Sequence, residues 1–250
     1  MVNSTLPQLE QKVQLSGISW QTYQALLSEL SDRRLCLTYN QGNLEIMVPS
    51  PEHEFYKTLM GRFVETIAEE LKIKIHPLGS TTFAREDLGR GLEPAECFYI
   101  RNQAAVKGKK RLDPTQDSPP DLVVEIDITS SSRDRMASYA ALGVPEIWRY
   151  DGKVFRVYQL QNQEYQLSEA SLAFPNVAIA EITRFLEQSA TTDYLVVPEK
   201  PPNFLGTQTP SSMVEGVQPA NSRGASKRIT KKCGFEALWK LLVSLEFARE

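Results

Sequence analysis

The sequence predicts an α/β (α+β) protein, a mixed central β-sheet of about five or more strands flanked by helices. Three observations predict it. Residues 121–128 alternate strictly, with Leu122, Val124, Ile126 and Ile128 on one face and Asp121, Val123, Glu125 and Asp127 on the other. That is the period-two pattern of a strand rich in β-branched residues. A helical stretch from about Arg133 to Leu142 follows, Gly143 stops it, and Val144–Tyr150 reads as the next strand. Upstream, Phe55, Leu59, Phe63, Ile67 and Leu71 step every four residues, the stripe of a long core-facing helix.

The remaining elements follow in chain order. Residues 1–15 are polar and read as a loosely held segment. Trp20, Tyr23, Leu26, Leu27 and Leu30 recur at helical spacing behind Ser19, a cap residue. Arg34–Tyr39 and Asn43–Val48 form a hairpin around Asn40-Gln41-Gly42. Ser50 caps the long helix, with Pro51 at its first position and Glu52 and Glu54 in its first turn, where the helix dipole favours anions. Short strands are expected over Ile73–Pro77, Ser80–Ala84 and Cys97–Ile100, with Arg85–Gly91 as a charged loop. Asp151-Gly152 joins Ile147–Tyr150 to Val154–Tyr158, a third short strand spans Tyr165–Leu167, and a helix covers Thr183–Gln188. Ile147 and Trp148 are expected in the core, where aromatic side chains usually lie. The domain spans residues 16–197. A proline-, serine- and glycine-rich linker over 198–230 is expected to be disordered, and an amphipathic helix lies within 231–250.

Composition narrows the function classes. A hydrophobic content of 41% and a charged content of 24% are ordinary for a soluble domain. The net charge of -3 gives no global attraction to nucleic acid, so DNA binding would need a local basic cleft. Lys107, Lys109, Lys110 and Arg111 form such a cluster, and the plainer reading is a solvated loop. Cys36, Cys97 and Cys233 are far apart and make neither metal spacing nor a disulfide framework. A reducing cytoplasm is therefore the expected setting. No signal peptide or membrane-spanning run is visible.

The acidic face of the 121–128 strand is the chemical anomaly. Like charges on one strand face repel unless a cation sits among them, and Arg133 and Arg135 follow in the next helix. With two histidines and no cysteine nearby, the hard oxygen donors suit Mg²⁺ or Mn²⁺. Glu125 is the expected principal metal ligand, completed by Asp127, Glu93, Asp121 or Glu54. His53 lies beside Glu54 at the start of the long helix, and the plainer role of both is to complement the helix terminus. The plainer reading of the strand carboxylates is that they face solvent or pair with Arg133 and Arg135.

The run PPDLVVEIDITSSSRDRMASYAALGVPEIWRYDG, with GLEPAECFYI upstream and VPSPEHE before the long helix, resembles the Uma-two family of restriction endonucleases, within the PD-(D/E)XK nuclease superfamily. The resemblance covers roughly residues 15–190 and implies a restriction-endonuclease-like fold. It also implies a carboxylate site for a divalent metal. The acid of the family's Pro-Asp pair falls on Ala95, which cannot ligate. Glu93 or Glu96 could substitute, although Glu96 would point to the opposite face. The next acid falls on Glu125, as the pattern requires. Asp127 stands where the superfamily has lysine, and the cation moves to Arg135, four residues before Tyr139. Arginine can stabilise transition-state charge but accepts protons poorly. The implied function is a metal-dependent DNA endonuclease, cytoplasmic and homodimeric, with catalytic residues Glu125, Asp127 and Arg135. Ala95 motivates an alternative, a decayed nuclease that binds nucleic acid or protein. A third reading makes the C-terminal helix the functional element of an interaction protein.

Overall fold

The computed structural model describes residues 11–128 and 133–189. The expected linker, the C-terminal helix and the cap run Thr129–Ser132 lie outside the described residues. Eleven strands and five helices are described: β1 (Gln11–Leu15), α1 (Trp20–Glu29), β2 (Cys36–Asn40), β3 (Asn43–Val48), α2 (Pro51–Glu70), β4 (His76–Pro77), β5 (Phe83–Arg85), β6 (Arg90–Leu92), β7 (Glu96–Tyr99), α3 (Gln103–Val106), β8 (Leu122–Ile126), α4 (Arg133–Leu142), β9 (Glu146–Tyr150), β10 (Phe155–Gln161), β11 (Glu164–Ser168) and α5 (Ile179–Ser189).

The strands form two sheets rather than one central sheet. The first has the order β1-β3-β2-β6-β5 and the second β11-β10-β9-β8-β7-β4. Only β8 and β9 pair in parallel among the described strands. They can do so because α4 is the crossover between them, and a parallel pair needs such a return. The second sheet is therefore mixed, as the sequence predicts.

Capping explains the helix ends. The Ser50 hydroxyl accepts from the His53 amide at 3.1 Å at the start of α2, and Ser19 does the same for Thr22 at 3.1 Å in α1. At the end of α4, Gly143 adopts φ 77°. The Val144 amide then donates to the Tyr139 carbonyl and the Gly143 amide to that of Ala140, a paired motif that a left-handed glycine permits.

Both faces of β8 are covered. Leu122 and Val124 are fully buried and Ile126 nearly so, and α2 packs against this strand. Ile128, past the strand end, is only half-buried. On the opposite face, Val123 joins Phe83, Leu92, Cys97, Tyr139, Val144 and Ile147 in one apolar cluster. A second cluster gathers Trp20, Tyr23, Leu37, Tyr39 and Leu44 beneath α1. Trp148 is fully buried, with its indole N–H donating to Glu146 at 2.6 Å.

Three local expectations need correction. Residues 11–15 are not loose: they pair with β3 from Gln11↔Val48 to Leu15↔Leu44. Arg90 and Gly91, read as the end of a charged loop, belong to β6, which lies between β2 and β5. The strand expected over Ile73–Pro77 shrinks to two residues, His76–Pro77.

Candidate functional site

The register of β7 against β8 sets the geometry. Glu96 pairs with Val124 and Cys97 with Val123. One further step in that register sets Ala95 level with Glu125, and cross-strand partners share a face. Ala95 is thus the position from which an acid would meet Glu125, and it carries only a buried methyl group.

Glu125 is 1% exposed. One carboxylate oxygen accepts from Arg135 Nη1 at 2.9 Å and the other accepts from the Tyr139 hydroxyl. Arg135 and Tyr139 lie four residues apart on α4, so both reach down from one helix face. Burial pushes the Glu125 carboxyl above the usual range, while the charge of Arg135 opposes that rise. The Arg135 guanidinium is held more firmly protonated than usual. Burial works against its charge, and Glu125, Tyr139 and Glu45 outweigh that effect. Arg135 is 7% exposed. Its Nη2 lies 3.8 Å from Glu45 Oε1 and makes no hydrogen bond among the described residues.

Further carboxylates surround this pair. Glu93 accepts from the Thr82 hydroxyl at 2.7 Å. Burial raises its carboxyl, against the hydrogen bond from Thr82, the charge of Arg135 and an amide of Leu37. Asp127 pairs with Arg149 on β9, and its charge reinforces the rise at Glu125. Glu45 on β3 also binds Lys12 at 2.9 Å. Arg135 therefore links a carboxylate of the first sheet to one of the second. Arg90 of β6 reinforces the junction, bonding Asn40 and, at 3.3 Å, the Ser138 hydroxyl on α4.

Other predicted residues lie elsewhere. Asp121 is at the start of β8, about 13 Å from Glu125 at the rise of an extended strand. Its carboxylate accepts from the amides of Ile100 at 2.7 Å and Asn102 at 3.2 Å, so it pins the turn after β7. Glu96 shares the face of Val124 and lies against Gly61 of α2. Burial raises its carboxyl, Lys57 opposes this, and Glu65 and Glu54 add to it. Glu54 and His53 belong to this α2 side, with Glu54 3.6 Å from Lys57 and 3.4 Å from His53. Lys107, Lys109, Lys110 and Arg111 are exposed on the connection leading into β8, at the Asp121 end. Lys109 is paired with Asp117. The side chains of Arg133 and Asp134 lie outside the described set.

Sequence reasoning does not find Glu45 or Arg149. Glu45 has one visible signal: it is an acid on the hairpin face opposite to Leu44 and Ile46. Arg149 lies opposite Glu125 in the parallel register, which becomes legible only once β8 and β9 are paired.

These residues do not fit a divalent cation as they stand. Both Glu125 oxygens already accept a hydrogen bond, the Arg135 guanidinium lies beside them, and Ala95 supplies no oxygen. Among the described residues no three acidic, histidine or cysteine side chains gather as a ligand set. Hard cations need several oxygens at short, uniform distances.

The profile of the Uma2 family, described as "Putative restriction endonuclease", matches residues 20–192. The chain belongs to this family. It is also similar in structure to a protein from Anabaena variabilis described as "a putative nuclease belonging to DUF820". That similarity has a TM-score of 0.45 and 14% identity, and covers 60% of this chain and 90% of the other. No curated protein matches the chain. Among its described residues, this Uma2 member has no helix long and apolar enough to cross a membrane.

Proposed function

We propose that this chain is a DNA-binding protein built on the nuclease scaffold of its family, with its hydrolytic centre neutralised from within. One observation carries the reading: each Glu125 oxygen already accepts a hydrogen bond, from Arg135 and from Tyr139, and Ala95 stands where a second acid would. Each oxygen keeps a further lone pair, but the guanidinium of Arg135 holds the place beside the carboxylate where a cation would stand, and no second acid shares it. Family membership supports nucleic acid as the partner, and the exposed Lys107–Arg111 loop supports contact with phosphates. The cysteine usage suits a cytoplasmic setting, and a homodimer would give the two-fold symmetry of many DNA sites.

A second reading keeps the restriction-type, Mg²⁺- or Mn²⁺-dependent endonuclease. Its support is that Glu125 matches the family acid and that a cationic side chain, Arg135, lies beside it.

Fluorescence anisotropy with a labelled duplex tests the first reading. The full chain should bind in EDTA with no divalent cation present, and binding should weaken steeply with salt. Replacing Lys107, Lys109, Lys110 and Arg111 by alanine should flatten the salt dependence, by a log–log slope of about 0.9 for each phosphate no longer neutralised. Absence of binding at low salt, or binding only with the cation, would contradict it.

A further inference from the structure

We propose that Arg135 is the chain's built-in cation, occupying the point between Glu45 and Glu125 and excluding a divalent metal from it. The inference deepens the function proposed above and takes from it only the location of the site.

The two carboxylates come from different sheets, Glu45 on β3 and Glu125 on β8. Arg135 lies 2.9 Å from Glu125 and 3.8 Å from Glu45, and its charge acts on Glu93. A guanidinium is planar and fixed in its fork, with five donors. Here it serves Glu125 well and Glu45 loosely, leaving Nη2 buried without a hydrogen bond among the described residues. Carboxylates arranged around a guanidinium stand too far apart to share one ion at about 2.1 Å, the distance Mg²⁺ demands. The plug therefore acts in two ways: it supplies the positive charge, and it holds the oxygens apart. Without it, the buried Glu125 would lose its compensating charge, and such a carboxylate must take up a proton or a cation.

Two substitutions separate the plug from the missing acid. Ala95→Asp restores a carboxylate level with Glu125 but leaves Arg135 in place. Arg135→Gln removes the charge of the plug and leaves a shorter, neutral, hydrogen-bonding side chain. Calorimetry with Mn²⁺, and melting followed against Mn²⁺ concentration, should be run on the full chain without DNA. The native protein and Ala95→Asp should give no binding heat and no shift in melting. Arg135→Gln should gain a site with Kd on the order of 10⁻⁴ to 10⁻³ M, as in weak oxygen-donor sites. Adding Glu125→Gln should remove that site. If Arg135→Gln is unfolded in EDTA, Mn²⁺ should restore its far-ultraviolet circular dichroism.

Three outcomes overturn the proposal: Mn²⁺ binding by the native chain that Glu125→Gln abolishes, binding by Ala95→Asp with Arg135 intact, or an Arg135→Gln protein that Mn²⁺ neither binds nor refolds. Because DNA is absent, failure of the native chain to bind DNA would refute the proposed function and leave this inference standing.

Discussion

Glu125 and Arg135 form a pair whose value lies in mutual compensation, and that sets what single substitutions should do. Breaking a buried ion pair by removing one partner costs about 3–5 kcal/mol, because the other charge is stranded. Glu125→Gln and Arg135→Gln should each destabilise by that amount in urea unfolding, and the double variant by far less than the sum. Additive losses would show that the two groups are not coupled. Glu96 offers a pH prediction of definite sign. Burial raises its carboxyl above the usual value, Lys57 opposes, and Glu65 and Glu54 contribute. The folded state therefore holds this proton at a pH where the unfolded chain has released it. Stability from this group is full below about pH 4.3, the ordinary glutamate value, and is lost as pH rises through the raised one. Glu96→Gln should melt above the native protein at pH 7 and level with it below about pH 4. An unchanged difference across that range would contradict the assignment.

At the scale of elements, Gly91 shows why β6 is illegible in the sequence. A β-carbon there would lie 2.2 Å from the Tyr23 hydroxyl and 2.5 Å from its ring, and Tyr23 is itself stacked on Tyr39. Gly91→Ala should therefore cost about 1–3 kcal/mol or more by overpacking, read from chemical denaturation. A neutral result would mean the tyrosine can move aside. In the sequence, this glycine looks like a loop residue, because the ring that needs the space comes from α1. Elements with local signals are readable: Ser50 and Pro51 begin α2, Gly143 ends α4, and Asp151-Gly152 turns β9 into β10. The alternation of β8 is legible too, but its acidic face is only half so. Asp121, Glu125 and Asp127 read as one cluster. Each instead has its own partner, an amide turn, Arg135 or Arg149, supplied by an element the strand meets only on folding.

For the whole molecule, the decisive feature is that α4 stands between the two sheets and turns Arg135 toward both. That placement ties Glu45 of the first sheet to Glu125 of the second. It puts the family's acid position at a neutralised junction, while the exposed basic loop lies at the other end of β8. On the proposed reading, DNA binding is thereby separated from phosphodiester hydrolysis. Incubating the full chain with supercoiled plasmid in Mg²⁺ and in Mn²⁺, beside Glu125→Gln, tests that separation most directly. Retarded but uncut plasmid with both proteins is the predicted result. Nicking or linearisation by the native chain that disappears in Glu125→Gln would contradict it.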